Sequence, residues 1–167
     1  ATTTVTPSPT PIPLGLRLNE FLPRPVSDWN NDGTISTGDE YIELRNRSAM
    51  PFDLTGWQLD DIEGGSSPYT LPGTLAPDEI RVIFRSESGV SLNDSGDTVR
   101  LLTPNGEVWD EESYAAAGPD QAWSRDEAGG WHDDWPPSPG TPNAPPPTPT
   151  PTPTPATRHG TRSCSWR

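Results

Sequence analysis

The stretch that decides the fold is Asp39–Leu59, DEYIELRNRSAMPFDLTGWQL. Residues 41–46 alternate between apolar and polar side chains, which is the period of a half-buried β-strand. Residues 48–51 interrupt this pattern with a proline-containing turn, and residues 52–59 then continue toward Trp57. The stretch therefore predicts a strand, a turn and a second strand.

Further strand-like segments surround this pair, and glycine, asparagine and aspartate separate them at short intervals. No segment has a sustained helical period. These features predict an all-β, immunoglobulin-like antiparallel β-sandwich of about 7–8 strands. The additional predicted strands are residues 16–22, 80–85, 97–103, 107–114 and 121–125. The predicted core residues are Ile42, Leu44, Leu54, Trp57, Leu59, Val82, Phe84, Val99 and Leu101. Val108 is expected on the inner side of its strand, with Trp109 as a further candidate for that side.

Proline marks the limits of the globular part. Four of the 23 prolines lie in residues 1–15 and eleven in residues 136–155. Proline fixes φ and removes a backbone donor, so such tracts form extended spacers and build no core. We therefore expect a Pro/Thr-rich linker at 1–13, a β-sandwich domain at 14–143, and a second disordered linker with an unplaced tail at 144–167.

The charge distribution excludes one large class of partners. The chain has a formal net charge of −13, and all 24 acidic residues lie in the predicted domain with eight of the eleven arginines. Nucleic-acid binding needs a positive surface, so no nucleic-acid partner is expected. The sequence also contains no long apolar run, and we expect no membrane insertion.

Two features are compatible with an exported module. The first is cysteine avoidance, since the single cysteine, Cys164, lies in the tail. The chain shows no signal-peptide pattern, which suggests a module of a longer polypeptide. Pro/Thr tracts commonly tether modules outside the cell. We expect a monomeric module of a larger protein, located extracellularly or at the cell surface.

The segment Asp28–Asp39, DWNNDGTISTGD, has the spacing of a calcium loop. Calcium prefers six to eight hard oxygen ligands, and a glycine at the sixth loop position permits the sharp turn. The pattern resembles dockerin-type loops, although a strand rather than a helix is expected to follow. A plain Asn/Asp/Gly turn is the alternative. We expect one structural calcium, with Ile35 anchoring the loop in the core and Glu20 or Glu40 as a further ligand. The predicted ligands are Asp28, Asn30, Asp32, Thr34, Ser36 and Asp39.

The chain as a whole resembles the lamin tail domain family in its bacterial extracellular form. The resemblance rests on LNEFL at 18–22, EYIELRNRS at 40–48, FDLTGWQLDD at 52–61, YTLPGT with LAPDE at 69–79, SGDTVRLLTPNGEVWDEESY at 95–114 and GGWHDDWPPSPGTPN at 129–143. It implies an immunoglobulin-like sandwich without an active site, whose closing segment folds back onto the sandwich. It also implies an accessory role beside secreted enzymes or in adhesive proteins.

Two functions follow from these observations, and neither is catalytic, because no nucleophile, base or carboxylate pair forms a recognisable motif. The first is an accessory or adhesion module of a secreted or cell-surface bacterial protein, with an unidentified protein, surface or polysaccharide ligand. The alternative is a carbohydrate-binding module that uses exposed tryptophans. That alternative requires a flat outward-facing row among Trp29, Trp109, Trp123, Trp131 and Trp135.

Overall fold

A computed structural model describes residues 15–148 of the chain. The predicted linker at 1–13 and most of the tail at 144–167 lie outside this range. The described residues form short strands, a 3-10 helix at Thr37–Asp39 and one four-residue helix, α1 (Arg85–Ser88). The strands are β1 (Leu16–Leu22), β2 (Tyr41–Asn46), β3 (Phe52–Asp53), β4 (Gln58–Asp60), β5 (Tyr69–Thr70), β6 (Thr74–Leu75), β7 (Ile80–Phe84), β8 (Asp97–Leu102), β9 (Val108–Tyr114), β10 (Trp123–Arg125) and β11 (Trp131–His132).

The strands form antiparallel sheets that pack as an immunoglobulin-like sandwich. The first sheet has the order β11-β10-β1-β2-β7, and the second has the order β5-β4-β8-β9. A two-stranded sheet pairs β3 with β6. In the described residues, seven strands have three or more residues and four have two. The predicted all-β sandwich is confirmed, and the two-residue strands account for the larger strand number.

The inner faces of the two main sheets meet in one hydrophobic core. Alternate residues of a strand point to opposite faces, so each sheet supplies every second side chain. Six of the nine predicted core residues are fully buried there, and Trp57 packs against them half-buried. Those six are Ile42, Leu44, Leu54, Leu59, Val99 and Leu101.

A β-bulge in β1 changes which residues of that strand face the core. The pairing with β2 shifts register between Leu18 and Glu20. A bulge adds one residue to one strand, so Leu18 and Phe21 both reach the core although three positions separate them. Glu20 then points to the outer face of the first sheet together with Tyr41.

A second apolar cluster lies on that outer face, where Leu22, Tyr41 and Ala122 are buried. Val82 and Phe84 are half-buried and pack against this cluster. The two side chains therefore have the predicted packing role, but in this second cluster and not between the two sheets. Val82 and Phe84 pair with Glu43 and Tyr41 of β2, which point outward, whereas Ile83 pairs with Ile42 and faces the core.

Two other expectations about strands need correction. The predicted continuous strand at 52–59 is broken, because Gly56 has a φ of 80° and the Trp57 amide donates to the Leu54 carbonyl at 2.9 Å. Its first part pairs with β6 instead. Val108 is 48% exposed and does not face the core, while Trp109 packs there partly buried. The pairing of β8 with β9 shifts register between Leu101 and Leu102. This shift accounts for Trp109, and not Val108, facing the core.

Asn46 closes the corner between β2 and the following turn. Its amide nitrogen donates to the carbonyls of Met50 at 2.8 Å, Leu75 at 3.1 Å and Ala76 at 3.0 Å. Its amide oxygen accepts from the Ser48 amide at 3.0 Å. The side chain therefore satisfies backbone groups of two separate loops, as short polar side chains at turns often do.

No helix within residues 15–148 has the length and apolar content needed to cross a membrane.

Candidate functional site

The predicted calcium loop connects β1 to β2 across the end of the first sheet. Residues 31–37 are exposed, whereas Asp39, in the 3-10 helix, is fully buried. Gly33 has a φ of 88° and Asn31 a φ of 59°, both in the left-handed region. Glycine and asparagine are the residues that adopt this region at least cost, which explains their places in the turn.

The first half of the loop is organised by side-chain acceptors that take backbone amide protons. Asp28 accepts from the amide of Asp32 at 3.1 Å and from that of Gly33 at 2.9 Å. Asn30 Oδ1 also accepts from Asp32 at 2.9 Å. Asp32 Oδ1 in turn accepts from the Thr34 amide at 2.8 Å. The oxygens of these side chains are therefore directed toward the loop's own backbone.

Asp39 ties the second half of the loop to the first. Its Oδ1 accepts from the amides of Trp29 at 2.9 Å and Asn30 at 3.0 Å, and its Oδ2 accepts from the Ser36 amide at 2.9 Å. Ser36 Oγ accepts from the Gly38 amide at 3.0 Å, which completes a capping box. Because Asp39 directly precedes Glu40 and β2, it links the loop to an interior strand of the first sheet.

The donor chemistry of the loop suits calcium, since its polar side chains offer carboxylate, amide and hydroxyl oxygens. Within residues 15–148, however, no group of three or more Asp, Glu, His and Cys side chains is placed to hold a metal ion. To coordinate calcium, the carboxylates of Asp28, Asp32 and Asp39 would need further oxygen ligands from the residues between them. Those residues are Asn30, Thr34 and Ser36. Calcium binding therefore stays a prediction for this loop.

Ile35 does not anchor the loop in the core, because its side chain is 60% exposed. The apolar anchor is Trp29, whose ring packs edge-on against Tyr41 with centroids 6.5 Å apart. Trp29 Nε1 also donates to Asp120 Oδ1 at 2.9 Å. The sequence expectation missed this contact because a loop tryptophan gives no local signal of its distant partner.

The two glutamates considered as further ligands lie elsewhere. Glu40 accepts from Arg85 Nη1 at 2.6 Å and from the Leu92 amide at 2.9 Å. Glu20 is buried on the outer face of the first sheet and accepts from Tyr41 and Ser124. Neither carboxylate bonds to a residue of the loop.

A closing segment, residues 135–143, covers the outer face of the first sheet. The Ser138 amide donates to Glu20 at 2.8 Å, and the Gly140 amide donates to Glu43 at 2.7 Å. Asn143 Nδ2 donates to the carbonyl of Asn19 at 2.8 Å. The buried carboxylates of Glu20 and Glu43 thus hold the closing segment, which is about a hundred residues away in the sequence. This agrees with the folding back of the chain end that the family resemblance implies.

The pKa of Glu43 is raised to about 8, chiefly by burial and to a smaller extent by the nearby Glu20 charge. The hydrogen bonds from Gly140 and Asn19 lower the same pKa and so offset part of the burial effect. Burial and the contact with Glu20 also raise the pKa of the Tyr41 hydroxyl far above its usual value. Both groups belong to the structural clamp under the closing segment.

The tryptophans do not form an outward-facing row. Trp123 is buried and stacks on Phe21, with ring centroids 5.5 Å apart, and Trp131 packs against the same ring. Trp109 Nε1 donates to the Leu16 carbonyl at 2.9 Å. Every tryptophan in residues 15–148 is buried or half-buried. The structure therefore gives no support to the sugar-stacking alternative.

The packed antiparallel sheets define an immunoglobulin-like domain. The family model of the lamin tail domain matches residues 14–116, and the chain belongs to this family of non-catalytic domains. A search of curated proteins gave no match. The match ends before β10 and β11, which complete the first sheet beside β1.

Proposed function

We propose that this chain is a non-catalytic accessory or adhesion module of a secreted or cell-surface bacterial protein. The observation that carries the proposal is the attachment of the closing segment. Asn143 donates to the carbonyls of Asn19 at 2.8 Å and Arg125 at 3.0 Å, directly before the Pro/Thr tract. Force applied to a tether that starts after Asn143 would pass into β1 and β10 of the first sheet. The closing segment would stay bound to that sheet.

The charge and composition support an extracellular setting for the same role. The domain carries all 24 acidic residues, and one cysteine occurs in the whole chain. A strongly charged surface favours solubility of an isolated, tethered unit. The proposed partner is a protein or surface ligand outside the cell, and the proposed state is a monomeric module of a larger protein.

The loop at 28–39 is proposed to bind one structural calcium ion. Asp28, Asn30, Asp32, Ser36 and the Thr34 carbonyl would supply oxygens, with Asp39 at the end that enters the sheet. The loop's oxygen-rich spacing and the burial of Asp39 support this assignment. Bound calcium would order an exposed loop and would leave no catalytic position.

Immobilised full-length chain, incubated with a bacterial envelope fraction, tests the attachment role. Retention of envelope proteins that is lost after protease treatment of the fraction supports the proposal. Retention on insoluble cellulose or chitin, unaffected by protease, would instead favour carbohydrate binding. Absence of retention on every surface would contradict an attachment role.

A further inference from the structure

The outer face of the first sheet carries an arginine cluster, formed by Arg17, Arg45 and Arg47. Arg17 of β1 lies directly opposite Arg45 of β2. Like charges placed opposite each other across two strands are destabilising unless an anion compensates them. In a domain with three times as many acidic as basic residues, this arrangement calls for a specific explanation.

The cluster has fewer carboxylates than arginines, because Arg45 pairs with Asp78 at 3.4 Å and shares Glu127 with Arg47. Arg17 has no carboxylate within 4.0 Å among residues 15–148, and its one side-chain hydrogen bond goes to Asn19 Oδ1 at 3.3 Å. Each of the other five arginines of the domain pairs with a carboxylate of its own. Those pairs are Arg24–Asp94, Arg81–Glu79, Arg85–Glu40, Arg100–Asp60 and Arg125–Asp110.

Two guanidinium groups of the cluster also have unused donors. The Nε atoms of Arg17 and Arg45 are buried and have no hydrogen-bond partner. Burial, and then the charges of Arg47, Arg125 and Arg45, lower the pKa of Arg17 to about 10. Arg17 is therefore still charged at neutral pH, and its charge is incompletely compensated.

One glutamate of the same chain contacts two arginines of the cluster. Glu127 lies on an exposed turn between β10 and β11 and is 63% exposed. Its carboxylate bridges Arg45 Nη1 at 2.6 Å and Arg47 Nη1 at 2.7 Å. Arg47 Nη1 also donates to the main-chain carbonyl of Glu127 at 2.8 Å. The cluster thus contacts a glutamate side chain and the peptide group that carries it.

We propose that the arginine cluster is a binding site for an acidic peptide segment of a partner protein, with Glu127 as an internal occupant that the partner displaces. Guanidinium groups bind carboxylates through strong charge-assisted hydrogen bonds. The main-chain contact of Arg47 favours a peptide over an anionic polysaccharide, which has no such carbonyl. This proposal specifies the class of partner for the proposed attachment function, and it rests on that function.

The surrounding acidic surface does not prevent this recognition. At physiological ionic strength the screening length is about 8 Å, so exposed charges farther away contribute little. The partly buried guanidinium groups are screened less than exposed ones. Binding should therefore depend on the cluster itself and not on the net charge of the domain.

Fluorescence anisotropy of labelled hexaglutamate with the full-length chain, at about 0.15 M salt, tests the site. Removing the internal carboxylate in Glu127→Gln should tighten binding about tenfold, the worth of one charge-assisted hydrogen bond. Arg47→Gln should weaken it by a similar factor. The matched controls are Glu63→Gln, an exposed charge change after β4, and Arg24→Gln, a partly exposed arginine outside the cluster.

Equal affinities of Glu127→Gln and Glu63→Gln would overturn the proposal, as would equal affinities of Arg47→Gln and Arg24→Gln. Heparin binding that follows the cluster variants while hexaglutamate does not bind would overturn it in favour of a sulfated polysaccharide. Envelope proteins retained equally by wild type and Arg47→Gln would reject this site and leave the attachment function standing. Thermal melting of each variant shows whether the fold is intact.

Discussion

The carboxylate of Glu43 accepts a hydrogen bond from the backbone amide of Gly140 at 2.7 Å, across 97 residues of chain. Glu43 is fully buried in β2, an interior strand of the first sheet, and Gly140 belongs to the closing segment. An amide donor aimed at a buried carboxylate stabilises its charge, but burial costs free energy in the other direction. The balance between burial and the Gly140 hydrogen bond sets the protonation of Glu43, which is one of the groups that bind the closing segment.

This balance predicts that stability depends on pH. The pKa of Glu43 is about 8 in the folded protein and near 4.5 when the side chain is exposed. Between these values the folded state binds more protons, so the free energy of unfolding falls as pH rises toward 8 and levels off above it. One such group contributes at most about 1.4 kcal/mol per pH unit. Urea unfolding at pH 6, 7, 8 and 9 measures the slope.

Glu43→Gln removes this titration and should flatten the slope between pH 6 and pH 8. Exposed Glu63 provides the control, since Glu63→Gln should keep the wild-type slope. If Glu43→Gln and wild type showed the same dependence, Glu43 would not be the titrating group.

Asp39→Ala should lower both stability and calcium affinity. The buried carboxylate accepts three backbone amides, and hydrogen bonds to a charged group contribute about 1.5–3 kcal/mol each before compensation. We expect a loss of about 3 kcal/mol in metal-free protein. Asp32→Ala, at an exposed position, should weaken calcium binding with a much smaller loss of stability.

Chelator-treated protein separates the two effects. Added calcium should raise the melting temperature of wild type, since a ligand at a hundred times its Kd stabilises by about 2.7 kcal/mol. An unchanged melting temperature would remove the calcium assignment. Wild-type calcium affinity in Asp39→Ala would remove the coupling between the loop and β2.

Gly96→Ala should be among the most destabilising glycine substitutions. Gly96 has a φ of 124°, and an added Cβ would overlap the carbonyl oxygen of Ala115. Gly64 has a φ of 83° but nothing within 4 Å, so Gly64→Ala should cost only about 1 kcal/mol of backbone strain. Thermal unfolding of the two variants compares the cost of steric overlap with Ala115, in Gly96→Ala, with the cost of backbone strain alone, in Gly64→Ala. Similar losses would mean that the turn before β8 relaxes around the methyl group.

Truncation tests how far the folded unit extends beyond the family match. A chain ending at residue 116 lacks β10, whose Trp123 stacks on Phe21 and pairs with it across the sheet. We expect it to lose cooperative unfolding, because Phe21 and the β1 edge would be exposed. A chain ending at residue 148 should unfold like the full-length protein. Cooperative, stable unfolding of the shorter chain would show that β10 and β11 are dispensable.

Much of the fold could be predicted from local pattern. The strand at Leu16–Leu22 was predicted with its observed bounds, and those at 80–85 and 97–103 each ended within one residue. These segments alternate because a strand exposes successive side chains to opposite faces, which is a property of local backbone geometry. A bend at Gly56 before Trp57 is predictable from the glycine, but the pairing of Phe52–Asp53 with β6 was not predicted, because β6 is distant in the sequence.

The candidate sites were predictable only in part. The spacing of Asp28, Asn30, Asp32 and Asp39 is local, and the structure brings these residues into one network through backbone amides. The orientation of Ile35 and the anchoring role of Trp29 depend on Tyr41 and Asp120, which the loop sequence does not reveal. The arginine cluster was not predicted, because Arg17 comes from β1, Arg45 and Arg47 come from β2 and its end, and Glu127 comes from a distant turn.

The class of this protein follows from the sequence alone. Strand period and turn residues depend on neighbouring residues, and the short motifs occur in a fixed order along the chain. The tertiary structure alone decided that the bulge at Asn19 turns Glu20 outward, that Glu20 and Glu43 hold the closing segment, and that Glu127 occupies the arginine cluster. The bulge depends on the register between β1 and β2, and the contacts of Glu20 with Ser138, Glu43 with Gly140 and Arg45 with Glu127 join residues 80 or more positions apart. Such contacts follow from the packed sheets and leave no trace in local pattern.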